Sequence, residues 1–103
     1  MADTIQWPGA SGKSYTYYIY PIGASLKAEA GNYIFARLES NVYMPIYIGQ
    51  TENLSERFDN HHKKDCIEAE RATHIHAYLN ANEQARLAEE SDVIAKWQPS
   101  CNG

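Results

Sequence analysis

Two tyrosines, an arginine and a histidine stand in this chain at spacings that suit phosphate chemistry. The run Tyr47-Ile48-Gly49-Gln50-Thr51-Glu52-Asn53-Leu54-Ser55-Glu56-Arg57 reads as a strand, a tight turn and the start of a helix, and Gly31-Asn32-Tyr33 places a second tyrosine on an earlier strand. A guanidinium stays charged and its planar fork donates two parallel hydrogen bonds to phosphate oxygens, so Arg57 suits a phosphodiester. His61, one helical turn beyond Arg57, has an ordinary pKa of about 6.5, which suits proton transfer at neutral pH. A phenol, at about 10, needs cationic neighbours or a second base before it can take a proton. Hydrolysis of a phosphodiester is the reaction these groups fit.

The elements that must position them follow from pattern. Residues 1–14 hold Pro8, Gly9, Ser11, Gly12 and Ser14 among few apolar groups and read as a loose, flexible lead-in, with a single domain over 15–103. Gly9-Ala10-Ser11-Gly12-Lys13-Ser14 resembles a phosphate-binding loop in composition only, because two residues separate its glycines where four are needed. Tyr15 to Ile22 is Tyr- and Ile-rich and is expected as a strand at a sheet edge. Gly31 opens a strand over Tyr33 to Leu38, and Tyr43 to Gly49 makes the next, joined to it as an antiparallel hairpin with Pro45 weakening the outer pairing. Thr51 and Asn53 are both candidate N-caps, Asn53 with Glu56 three residues on as a capping-box partner, for a helix expected over Leu54 to Lys63, and a weaker helical piece covers Asp65 to Arg71. Thr73 to Leu79 alternates polar and apolar residues as a half-buried strand does. Asn80 then caps a helix from Ala81 to Trp97, stopped by Pro99. The expected class is α+β, a small antiparallel sheet flanked by helices.

In this order the landmarks resemble the GIY-YIG endonuclease superfamily. Gly31-Asn32-Tyr33 stands for its first signature, with Asn32 in place of an aliphatic residue, and Tyr47-Ile48-Gly49 is its second signature intact. Gln50-Thr51-x-Asn53-Leu54-x-x-Arg57-Phe58-x-x-His61 follows the family's arginine helix. Glu90-x-x-Val93-Ile94, then Pro99 and Asn102, follows its glutamate helix and terminal segment. The resemblance implies a DNA endonuclease in which Tyr33 and Tyr47 orient or deprotonate water, Arg57 holds the scissile phosphate, and Glu90 binds one magnesium or manganese ion. Gly31, Gly49 and Asn102 support that site. Helix geometry also favours Glu90 over Glu89, since its i±3 and i±4 neighbours include Leu87, Val93 and Ile94.

Composition sets limits on that expectation. The 103 residues make one domain, and no apolar run approaches the roughly 20 residues of a membrane span. With no export signal and two irregularly placed cysteines, Cys66 and Cys101, the chain is expected in the cytoplasm with reduced thiols. His61, His62, His74, His76 and Cys66 lack the paired spacing of a zinc site. The formal net charge of −4 opposes binding of nucleic acid by bulk electrostatics, while Arg57, His61, His62, Lys63 and Lys64 form a local basic run in which His62, Lys63 and Lys64 can contact a backbone. The partner is expected to be DNA rather than RNA, with no membrane. A homodimer, through the Tyr-rich strand edge, or a protein partner supplying specificity are further expectations. The rival reading is a module of the same fold that binds nucleic acid or protein and no longer cuts.

Overall fold

A computed structural model of the protein describes residues 3–56 and 63–102. Five antiparallel strands form one sheet: β1 Thr4–Pro8, β2 Ser14–Pro21, β3 Gly31–Glu39, β4 Val42–Thr51 and β5 His74–Leu79, in the spatial order β1-β2-β5-β3-β4. Because β3 lies between β4 and β5 and is covered on both faces, its residues from Gly31 to Ala36 are all buried and show no alternation. Helix α1, Lys64–Ala69, and short 3-10 turns at Leu54–Glu56 and Ser100–Asn102 cover one face, packing Leu54, Ile67 and Cys101 against Tyr33, Phe35, Tyr47 and Ile75. Helix α2, Glu83–Trp97, covers the other and sets Val93 among Trp7, Tyr17, Ile34 and Ile48. The expected α+β class, with an antiparallel sheet flanked by helices, describes this arrangement. No helix among the described residues is long and apolar enough to cross a membrane.

Several expectations are corrected. Thr4–Pro8 is an edge strand, not a loose lead-in: Ile5 and Trp7 point to the core, Trp7 is buried, and its ring meets Trp97 edge-on at 5.3 Å. The Gly- and Ser-rich turn behind it is locked to α2, with the Ser11 N–H and Oγ donating to the Asp92 carboxylate at 2.8 and 2.6 Å and Tyr15 donating to it at 2.8 Å. That loop therefore grips an acid of its own chain. The Tyr-rich strand expected at an edge is β2, which lies inside the strand order, pairing with β1 over Ser14–Tyr18 and with β5 over Tyr18–Pro21.

The thiols are also corrected. Cys66 of α1 and Cys101 of the last turn form a disulfide with Cα atoms 5.8 Å apart, joining positions 35 residues apart in sequence. Spacing alone could not reveal the pair, since two separate elements must dock on the same face before the sulfurs meet. In the chain-entropy account, closing a loop of that length stabilises the fold by about 4 kcal/mol. The segment expected as helix from Leu54 to Lys63 begins as a 3-10 turn, with Asn53 Oδ1 accepting the Ser55 N–H at 3.0 Å. No reciprocal capping box forms there, because the Asn53 N–H goes to Thr51 Oγ1. Arg57, His61 and His62 lie outside the described residues. The N-cap of α2 is Asn82, accepting from the Ala85 N–H, and Asn80 makes the preceding turn.

One buried group makes the fold sensitive to acid. His76 is fully buried, and Trp7 Nε1 donates to its Nδ1 at 2.9 Å, which fixes the neutral tautomer with the proton on Nε2. That Nε2 has no hydrogen-bond partner among the described residues, but the Tyr43 ring stands edge-to-face to the imidazole at 4.7 Å, a contact open to an N–H over a π-face. Burial, and then the neighbouring His74, lower the His76 pKa to about 4. The unfolded chain binds this proton from about pH 6.5 downward while the folded chain refuses it to about pH 4, so stability falls as pH falls through that window. Denaturant unfolding should show about 2 kcal/mol of this loss between pH 7.5 and pH 5. His76→Gln should flatten the slope there, and an unchanged slope would refute the assignment.

Candidate functional site

Tyr33 on β3 and Tyr47 on β4 project from the same face of the sheet, with ring centroids 6.1 Å apart and planes 28° from parallel. Tyr33 pairs in register with Gly49, the residue two beyond Tyr47. A side chain at Gly49 would collide with both phenols: its Cβ would lie 2.6 Å from the Tyr33 hydroxyl oxygen and 2.9 Å from Tyr47 Cε1. The glycine is needed because the Tyr33 ring lies directly over the strand backbone. Gly31 has a similar reason, since a Cβ there would come 2.4 Å from the Tyr78 carbonyl oxygen and 2.8 Å from Leu54 Cδ1. Both glycines of the two signatures are thus close-approach positions.

β4 is an edge strand, and in an antiparallel edge every second residue turns its N–H and C=O outward. Ile48 and Gln50 are those residues. The Asn102 amide matches Ile48 at both groups, its Oδ1 accepting the Ile48 N–H and its Nδ2 donating to the Ile48 carbonyl, each at 2.8 Å. At Gln50 the backbone N–H is directed toward the Glu90 carboxylate and acts on its pKa. Asn102 thus braces the strand between Tyr47 and Gly49, and Glu90 is anchored one residue past Gly49. Burial pushes the Glu90 carboxyl above the ordinary carboxylate range, and the Gln50 N–H works against that rise.

The two adjacent glutamates of α2 diverge as the helix requires. Glu89 accepts a 2.5 Å hydrogen bond from the Tyr17 hydroxyl on β2, while Glu90 reaches β4. The apolar stripe expected beside Glu90 is altered: Leu87 is 43% exposed, and Arg86 is 2% exposed. Arg86 Nε donates to Gln50 Oε1 at 3.1 Å, its Nη1 donates to the Asn80 carbonyl at 2.9 Å, and its own carbonyl accepts from Asn32 Nδ2 at 3.0 Å. Asn32 therefore ties β3 to α2. Sequence reasoning passed over Arg86 and Gln50; the signal was an arginine one turn before Glu90 on the helix face that also carries Val93. Tyr15 and Tyr17 are held protonated: burial first and then Asp92 push Tyr15 up to about 12, and burial and Glu89 raise Tyr17.

The expected residues divide as follows. Tyr33, Tyr47 and Gly49 come together on one face of the sheet, Asn102 caps β4 at Ile48, and Glu90 approaches β4 at Gln50 from α2 on the other face, with Gly31 at the start of the neighbouring strand. Lys63 and Lys64 stand at the start of α1, Lys63 half-buried and Lys64 exposed. Among the described residues no three His, Cys, Asp or Glu side chains gather as a metal cage. A magnesium or manganese ion keeps most of its waters and takes one or two carboxylates, a donor set that Glu90 fits. The zinc alternative loses its thiol, because Cys66 is in the disulfide, and the His76 Nδ1, because it accepts from Trp7. No protein-family model, curated protein or solved structure matches the chain.

Gly49→Ala should displace the Tyr33 ring and destabilise the fold by about 1–3 kcal/mol, the range for overpacking. Thermal unfolding checks this, and a variant as stable as the wild type would mean that the phenol has room to move.

Proposed function

We propose that the protein is a metal-dependent DNA endonuclease of the GIY-YIG type. The observation that carries the reading is the pair Tyr33 and Tyr47 set over Gly49 on one face of the sheet, with the Glu90 carboxylate directed from the helix on the other face toward the same edge strand at Gln50. Glu90 would hold a magnesium or manganese ion, which supplies Lewis-acid stabilisation of the phosphoryl oxygens and lowers the pKa of a bound water. Tyr33 and Tyr47 orient the attacking water, and His61 is the base that makes a phenol useful at neutral pH. Arg57 clamps the scissile phosphate and offsets the charge that grows on it. Lys63, Lys64 and His62 contact the backbone beyond the cut. With a net charge of −4, a protein partner supplies the remaining grip and the specificity. We place the protein in the cytoplasm with its substrate, where a disulfide is as a rule transient or redox-sensing.

A second reading, a binding module that has lost catalysis, is favoured by the acidic charge and by the burial of both phenols, with Tyr33 1% and Tyr47 9% exposed. The experiment is cleavage of branched, nicked and linear DNA, beside matched RNA, with magnesium or manganese. Glu90→Ala and Arg57→Ala should each cut at least about 100-fold more slowly than the wild type. Equal rates in the three proteins would remove the nuclease reading. Manganese-induced line broadening should be lost in Glu90→Gln; retained DNA binding with neither cleavage nor broadening would select the module.

A further inference from the structure

We propose that the Cys66–Cys101 disulfide is a redox-controlled clamp that holds Asn102 on β4 and so sets the strand between Tyr47 and Gly49. Asn102 directly follows Cys101, and both of its amide groups are spent on the backbone of Ile48. The turn that carries it is three residues long, and among the described residues its internal bond runs from the Asn102 N–H to the Pro99 carbonyl at 3.1 Å. Such a turn has little stability of its own. What fixes it to the body is the covalent link from Cys101 to α1 and the packing of Cys101 against that same face, together with the burial of Pro99 and the two Asn102 bonds to β4.

The two sulfurs differ in access, which orders the chemistry. Cys101 is 1% exposed, whereas Cys66 is half-buried. A dithiol reductant attacks the Cys66 sulfur as thiolate, the bond between the cysteines breaks, and Cys101 leaves with the electron pair. The second thiolate of the reductant then attacks its own sulfur in the mixed disulfide and releases Cys66. The dithiol ends as a disulfide, two electrons have passed to the protein, and the two protons of the dithiol end on the cysteine thiols. Without the link, the turn opens locally, Asn102 leaves Ile48, and the outward N–H and C=O of an edge strand face water. Tyr47 and Gly49, on either side of Ile48, then lose the brace that fixes their spacing under Tyr33.

The effect on catalysis rests on the nuclease reading, but the clamp does not. Amide exchange measured by NMR separates local release from a general loss of stability. On reduction with dithiothreitol, exchange at the Ile48 amide should speed up about tenfold more than at the Ile34 amide, its partner on the interior strand. Asn102→Ala with the disulfide intact should reproduce this ratio, and reoxidation of the wild type should reverse it. Equal acceleration at Ile48 and Ile34, or none at either, would overturn the clamp, since the bond would then act on the whole fold or on neither site. The ratio is read without any cleavage, so a protein that cuts no DNA still tests the clamp. Should the protein cut DNA, reduction should slow the cut about as much as Asn102→Ala does.

Discussion

An edge strand has to do something with its outward N–H and C=O groups, and how β4 meets that requirement organises much of this protein. The Asn102 amide supplies the complement that a sixth strand would give at Ile48, and the Glu90 carboxylate faces the next outward N–H, at Gln50. Each cap comes from a different layer, Asn102 from the turn on one face and Glu90 from α2 on the other. The strand is thereby protected from pairing with another chain and, by the same contacts, drawn into a defined place beside β3. Pro45 does related work at the other end of the strand, where the register shifts by one residue between Phe35 and Ala36.

The core is less apolar than its residue count suggests, and each buried polar group has a structural task. Arg86 is buried without a carboxylate partner among the described residues, and it spends its donors on the Gln50 side chain and the Asn80 carbonyl. A guanidinium in that position is costly unless its bonds are made, so it ties the end of β4 to the start of α2 more strictly than a leucine would. On the far side of the sheet the N-terminal hairpin does the same for the last turns of α2, through Asp92 and through the Trp97 indole, which donates to the Pro8 carbonyl at 3.0 Å. The helix that carries Glu90 is therefore held at both ends.

For function, the consequence is a carboxylate and two phenols positioned by packing, not by loop conformation. Tyr33 and Tyr47 are pressed over Gly49 by the core itself, and Glu90 sits on a helix pinned along its length. The basic groups of the proposed nuclease come instead from the connection that leads into α1, and they are few in a chain of net charge −4. In the proposed nuclease, so few basic groups would leave delivery to the substrate to another molecule.

The strands around the site were legible in the sequence because β-branched and aromatic runs bounded by Gly and Pro report local backbone preference, which holds in any context. So were the hairpin of β3 and β4, the strand at His74–Leu79 and most of α2. The turn chemistry at Asn53 and Asn82 was legible to within two residues. Four things were decided only by tertiary structure. Thr4–Pro8 became a strand because Trp7 had a partner in Trp97, ninety residues away. The tyrosine-rich β2 moved inside the sheet because β1 and β5 closed on it, and strand order depends on contacts that no local pattern encodes. Arg86 replaced Leu87 on the buried face because the polar end of β4 gave it bonds to make. Finally, Cys66 and Cys101 met because α1 and the final turn dock on the same face, a coincidence in space that spacing in sequence does not carry.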